Sequence, residues 1–201
     1  MTDHPTPAPA TGDASAGIAG HILEVLARVP DTRERASANP ALRARAIARA
    51  AARSASVTAG ALALPVGPLG WLTIVPELAA IWRIQAQMVA DIAGAYGCHA
   101  TLTPEHLLYC LFRYAAAQAV RDLVVRAGSR WLLRRLPARA LEAVAGKVGL
   151  RIAQRAAGSG AARWLPVIGA VGVGAYAWYD TGKVADAAIE LFEREPAPES
   201  A

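Results

Sequence analysis

The chain has 201 residues, enough for one well-packed domain with tails. It is 54% hydrophobic and only 18% charged, with alanine supplying much of the former. No β-branched run alternates with period two, which excludes a sheet protein and leaves an all-α helical bundle as the expected fold. Two cysteines, Cys98 and Cys110, are too few for a disulfide framework. MTDHPTPAPATGDASAG has neither the basic start nor the apolar centre of a secretory signal, so the expected compartment is a reducing cytoplasm. The net charge of +5 is unevenly spread. Residues 28–53 carry seven arginines against Asp31 and Glu34, residues 121–155 carry nine basic side chains against two acidic, and the segment from Asp180 onward is acidic. A basic surface of this kind suits an anionic partner, membrane or nucleic acid.

In chain order, residues 1–16 are rich in Pro, Ala and Thr and read as a disordered tail, and residues 195–201 as a second one. The single domain expected between them covers 17–194. Ile18 to Val29 reads as a short helix with Ile22, Leu23, Val25 and Leu26 on its apolar face, stopped by Pro30. In ALRARAIARAAARS, residues 41–54, Arg45, Arg49 and Arg53 recur every fourth position and form one stripe. Such a stripe is a solvated helix face or a surface for lipid headgroups or an acidic protein.

VTAGALALPVGPLGWLTIVP, residues 57–76, is uncharged over a length that would span about 30 Å as a straight helix. Pro65 and Pro68, with Gly67 and Gly70, forbid a straight helix, so the expectation is a helix, a bend and a second helix entered near Trp71. Glu77 to Tyr96 is amphipathic. Leu78, Ile81, Trp82, Met88, Val89, Ile92 and Tyr96 share one side, with Arg83, Gln87 and Asp91 opposite. Gln85 falls within the apolar side, where its amide needs a neighbouring helix or lines a ligand cavity. Gly97 is placed as a left-handed C-cap, and Thr103-Pro104 as the N-cap and first turn of a helix from Glu105 to about Gly128. Beyond it Arg126, Arg130 and Arg134 align on one side of a basic helix ending at Pro137. Leu141 to Ala157 is a further helix, and GSG at 158–160 a hinge.

RWLPVIGAVGVGAYAWYD, residues 163–180, has no charge between its ends. Its glycines at 169, 172 and 174 follow no strand and precede no Lys-Ser/Thr, which excludes a phosphate loop. Sixteen uncharged residues rise only about 24 Å, less than a hydrocarbon core, and Pro166 suits a helix start. A helix buried in protein fits better than a membrane-embedded hairpin formed with residues 57–76. The small residues at 169, 170, 172, 174 and 175 permit close helix approach in either medium.

Chemistry-bearing patterns are few. Cys98, His99, His106 and Cys110 form the one metal-capable cluster, with His106 and Cys110 four apart, but their spacing matches no zinc signature, so no metal or other cofactor is expected. No nucleophile elbow or H-E-x-x-H pattern occurs, and Glu77 and Asp91 are about 21 Å apart along one helix, too far for paired acid–base work. The arginine stripes lack interleaved exposed aromatics, so no nucleic-acid partner is expected.

LPVGPLGWLTIVPELAAIWRIQAQMVADIAGAYG, residues 64–97, resembles the core of the bacterial EcsC family, in which a Gly/Pro-rich apolar segment runs into an amphipathic helix ending in Tyr-Gly. WLPVIGAVGVGAYAWYDTGKVADAAIELF, residues 164–192, is similar to that family's Pro-x-x-Gly-Ala segment and following helix. Pro65, Gly67, Pro68, Tyr96, Gly97, Pro166, Gly169 and Ala170 occupy the pattern positions, and the likeness extends over roughly residues 40–195. The resemblance implies a helical, membrane-associated protein whose family is named for a gene accompanying an ABC transporter, with no catalytic residues to carry over. Composition and resemblance together lead to a non-enzymatic protein at the cytoplasmic face of the inner membrane, docked or partly embedded. It would accompany a membrane system such as an ABC transporter, with anionic lipids or a membrane protein as partner. Arg45, Arg49, Arg53, Arg126, Arg130 and Arg134 would hold headgroups, each adding about 1 kcal/mol near an anionic leaflet. The alternatives are a soluble helical adaptor for an acidic protein, or a lipid or fatty-acid carrier with its cavity beside Gln85.

Overall fold

In the computed structural model, which describes residues 11–62, 74–113, 139, 142–150 and 166–194, every regular element is helical. The elements are α1 (Thr11–Leu26), α2 (Pro40–Leu62), α3 (Ile74–Ala95), a 3-10 turn (His99–Thr101), α4 (Pro104–Phe112), a helical stretch over 142–150 (α5) and α6 (Pro166–Arg194). The expected all-α bundle is therefore present, with no strand among the described residues. Positions 63–73 with the expected bend, Arg126, Arg130 and Arg134, the 158–160 hinge and the C-terminal tail lie outside the described residues.

Local sequence explains several element ends. Gly97 takes φ 75°, the left-handed conformation that glycine adopts without steric cost. Its N–H reaches the Gly94 carbonyl at 2.9 Å while the Cys98 N–H reaches the Ala93 carbonyl at 2.8 Å, a Schellman closure of α3. Thr103 caps α4: its Oγ1 accepts from the His106 N–H, and His106 Nδ1 accepts from the Thr103 N–H at 3.1 Å. A histidine thus fills the place a glutamate or glutamine takes in most capping boxes. Pro40 and Pro166 open α2 and α6, where a missing N–H leaves nothing unsatisfied.

One boundary differs from expectation. Residues 11–16, read as tail from composition, are the first turns of α1. Ile18, Ile22, Val25 and Leu26 are buried at helical spacing, and Gly149 of α5 meets Ser15 and Ala19 so closely that a Cβ there would lie 2.8 Å from the Ser15 carbonyl oxygen. That contact is tertiary, and composition holds no trace of it.

The topology follows from matching neighbours. Gln85 of α3 bonds Asp180 and Thr181 of α6, and eleven residues later Tyr96 meets Phe192 and Glu193, so α3 and α6 run parallel. Glu34, beside Arg43, lies close to Gly94 at the end of α3, whereas Ala55 and Ala59 pack with Ile81 and Ile84 near its start, so α2 runs antiparallel to α3 and hence to α6. α1 follows α3, with Glu24 on Arg83 and Thr32 on Asp91. α4 packs along α3 and α6, its start at the far end where His106 meets Phe192 at 6.4 Å and its last turn farther back, where Phe112 meets Trp82 edge to face at 5.3 Å and 75°. The core includes Ile22, Leu26, Met88, Val89, Ile92, Leu107, Leu108, Phe112, Val148 and Phe192. Alanines at 86, 90, 93 and 95 are also buried, so α3 is enclosed on more sides than its large apolar residues mark out.

Candidate functional site

Because α2 runs against α3 and α6, the C-terminal turns of α2 and the N-terminal turns of α3 and α6 meet at one end of the bundle. In sequence these are the two uncharged arms, residues 54–76 and 164–179. The close helix approach that the small residues permit is made between the two arms where they are described. Gly174 lies on Ser56 so closely that a Cβ would sit 3.1 Å from the Ser56 carbonyl oxygen and 3.2 Å from its Oγ. Ala55, Ala59 and Ala177 form a small apolar cluster of their own with Ile81 and Ile84. Of the small residues in the arm, Gly174 makes this contact, Gly172 faces open space, and Ala175 is exposed.

The large side chains of these arms point outward. The expectation of a helix buried in protein over residues 163–180 therefore fails for all but its small residues Gly174 and Ala177 among those described, because α6 meets α2 there through small residues on one side only. Among the described residues, six of the eight exposed large hydrophobics lie here: Val57, Val171, Val173, Tyr176, Trp178 and Tyr179. Val57 is 72% exposed, Val171 69%, Tyr176 66% and Tyr179 62%, a concentration beyond the scattered apolar residues of an ordinary surface. A groove of about 570 Å³ runs between α2 and α6, lined by Ser56, Val57, Gly60, Val171, Gly174, Ala175 and Trp178. The first basic residue after the arm is Lys183, whose ammonium lies 5.6 Å from the centre of the Tyr179 ring and pairs with Asp186 at 3.6 Å.

The opposite end is polar. Arg113 pairs with Glu190, which Arg194 also reaches at 2.7 Å, and the Arg113 hydrogen bond holds the Glu190 carboxyl below its usual range. Arg43 does the same to Glu34. Burial, with Glu193 beside it, pushes the Tyr96 hydroxyl up to about 12. Between the ends sits one buried polar cluster. Gln85, 0% exposed, donates through Nε2 to Asp180 at 2.9 Å and to Thr181 at 3.2 Å, so the glutamine does find its neighbouring helix. Desolvation raises the Asp180 carboxyl above its ordinary value, and the Gln85 donor opposes that rise. The partner Asp180 carried a sequence signal, as the first charge after sixteen uncharged residues, but its pairing with Gln85 depends on helix alignment.

The remaining sequence candidates separate. Arg45, Arg49 and Arg53 form an exposed stripe on α2, and among the described residues none of the three takes part in an ion pair. The stripe starts one turn beyond Val57 and runs away from the uncharged end. Cys98 and Cys110 are buried and not joined in a disulfide, His99 Nε2 lies 3.0 Å from the Pro30 carbonyl, and His106 is committed to its cap. No three histidine, cysteine or carboxylate side chains converge as a metal site would require among the described residues. No helix among them is long and apolar enough to cross a membrane. Comparison with protein-family models, with curated proteins and with solved structures finds no match.

Proposed function

We propose that this chain is a non-enzymatic helical protein, of the kind that the EcsC resemblance implies, which docks on the cytoplasmic face of a bacterial membrane with its uncharged end. The observation that carries this reading is the outward aromatic and valine surface at the end where both uncharged arms meet. Exposed apolar area of that extent has a cost in water, and an interfacial depth of about 5–10 Å would remove it from water without any helix crossing the bilayer. Trp178 and Tyr179, at the edge of the surface, suit the headgroup level. The exposed arginines of α2 supply attraction to an anionic leaflet.

Flotation on vesicles of phosphatidylcholine, with and without phosphatidylglycerol, tests the reading. The chain is expected to rise with vesicles and more so with the anionic ones. The double variant Val173→Ser/Tyr176→Ser should lower partitioning at least ten-fold, because each such side chain contributes roughly 1.5 kcal/mol or more when buried. Absence from both kinds of vesicle would remove the reading in favour of a soluble adaptor.

A further inference from the structure

From the groove and the arginine stripe beside it we infer that the protein holds a single anionic phospholipid, one acyl chain lying between α2 and α6 and its phosphate at Arg53 and Arg49. The choice of ligand rests on the membrane-surface reading above; the site itself rests on geometry. The groove is apolar, with Val57, Val171 and Trp178 along it, and its floor is the close contact of Gly174 on Ser56, which leaves no room for a deeper side chain. The groove, of about 570 Å³, is open along its outer side, so an acyl chain would lie along it with one side uncovered.

Charge identifies the occupant. Arg45, Arg49, Arg53 and Val57 fall on one i, i+4 row of α2, so the row of guanidinium groups leads directly into the groove. Among the described residues Arg49 and Arg53 form no ion pair: Asp180 turns to Gln85 on α3, Asp186 is paired with Lys183, and Glu193 bonds Tyr96 at the other end of the stripe, beside Arg45. An apolar channel that opens onto unpaired arginines fits an amphiphile with an anionic head, and an arginine offers phosphate a two-pronged set of donors. Distance along the helix sorts the arginines. Arg53 lies about 5–6 Å from the Val57 level, Arg49 about 12 Å, and Arg45 about 18 Å. A phosphate one chain-end from the groove meets the first two and leaves Arg45 out of reach. End-on docking gives the same order, because an interfacial depth of about 5–10 Å brings the Arg53 level to the headgroups first.

The test uses diheptanoyl phosphatidylglycerol below its micelle concentration, with diheptanoyl phosphatidylcholine and heptanoate as comparison ligands, read by titration against the full chain and by native mass spectrometry. One phosphatidylglycerol should bind per chain, more tightly than either comparison ligand. Arg53→Gln should weaken it about five-fold, the worth of one basic residue near an anionic head, and Arg45→Gln should leave it unchanged. Ala175→Phe, an exposed position that fills the groove, should abolish the one-to-one complex while vesicle flotation persists. Binding without saturation, equal affinity for phosphatidylcholine, an undiminished Ala175→Phe, or Arg45→Gln as damaging as Arg53→Gln would each overturn the inference. Flotation without monomeric lipid binding would retain the docking reading and remove the lipid site. Lipid binding without flotation would do the reverse.

Discussion

The two halves of α6 invert one another. From Asp180 to Arg194 the helix behaves as a soluble amphipathic helix: Val184, Leu191 and Phe192 are buried, while Glu193 and Arg194 face water. From Val171 to Tyr179 its buried positions are Gly174 and Ala177, and its valines and aromatics face outward. Helix formation is the same in both halves, so backbone preference does not separate them. Burial does. The second half holds its large side chains in the protein, and the first half keeps its own available. A helix that buries only small residues and displays all its large ones is suited to close contact with one neighbour on one side and to an apolar medium on the other.

That inversion gives the largest expected effect. Phe192→Ala should destabilise the fold by about 3–5 kcal/mol, because the ring is 2% exposed and touches both Tyr96 and His106. Val171→Ala, twenty-one positions earlier and 69% exposed, should stay within about 0.5 kcal/mol in urea unfolding. Equal losses at the two positions would mean that the first half is held as tightly as the second, and the contrast would collapse.

Legibility in the sequence follows the range of the interaction. The Gly97 and Thr103-Pro104 signals describe contacts within a few residues, and both ends of the α3–α4 connection are as those residues imply. Gln85 is legible in half: an amide on an apolar face must have a partner, but Asp180 lies ninety-five positions away, and only the parallel course of α3 and α6 brings it there. The start of α1 at Thr11 rests on the fit of Gly149 against Ser15 and Ala19, a contact between distant segments of unremarkable composition. The convergence of both uncharged arms at one end is likewise a product of helix direction. Periodicity gives the face of each helix and says nothing about which way its neighbour runs.

The glycines of the first half sharpen the contrast at a smaller scale. Gly172 has nothing within 4 Å of a built Cβ, so Gly172→Ala should stabilise α6 by about 0.5–1 kcal/mol through backbone entropy alone. Gly174→Ala carries the same entropic gain, but its methyl would lie 3.1 Å from the backbone oxygen of Ser56, and the two helices must separate slightly to admit it. The difference between the two variants, read from their urea midpoints, measures how firmly the arms are closed. A Gly174→Ala protein as stable as Gly172→Ala would mean that α2 and α6 part freely there.

The smallest effect lies at the junction of the two halves, at Asp180. Burial holds its carboxyl above the unfolded value of 3.8, so the folded chain keeps that proton to a higher pH than the unfolded chain does. Between the two values the native state binds more protons, and this group's contribution to stability falls as pH rises; above the folded value the whole penalty remains. Glu34 and Glu190 run the other way, since their arginine partners lower their carboxyls and their stabilisation is lost as pH falls. The absolute pH profile therefore mixes opposing slopes, and the informative quantity is the difference between Asp180→Asn and the native chain. Asparagine keeps an oxygen for the Gln85 Nε2 donor and removes the ionisation, so the stability of the variant relative to the native protein should increase as pH is raised from about 4 toward neutrality. A difference that stays constant over that range would place Asp180 in water, and the polar seam that joins the enclosed half of α6 to its exposed half would then be open to solvent.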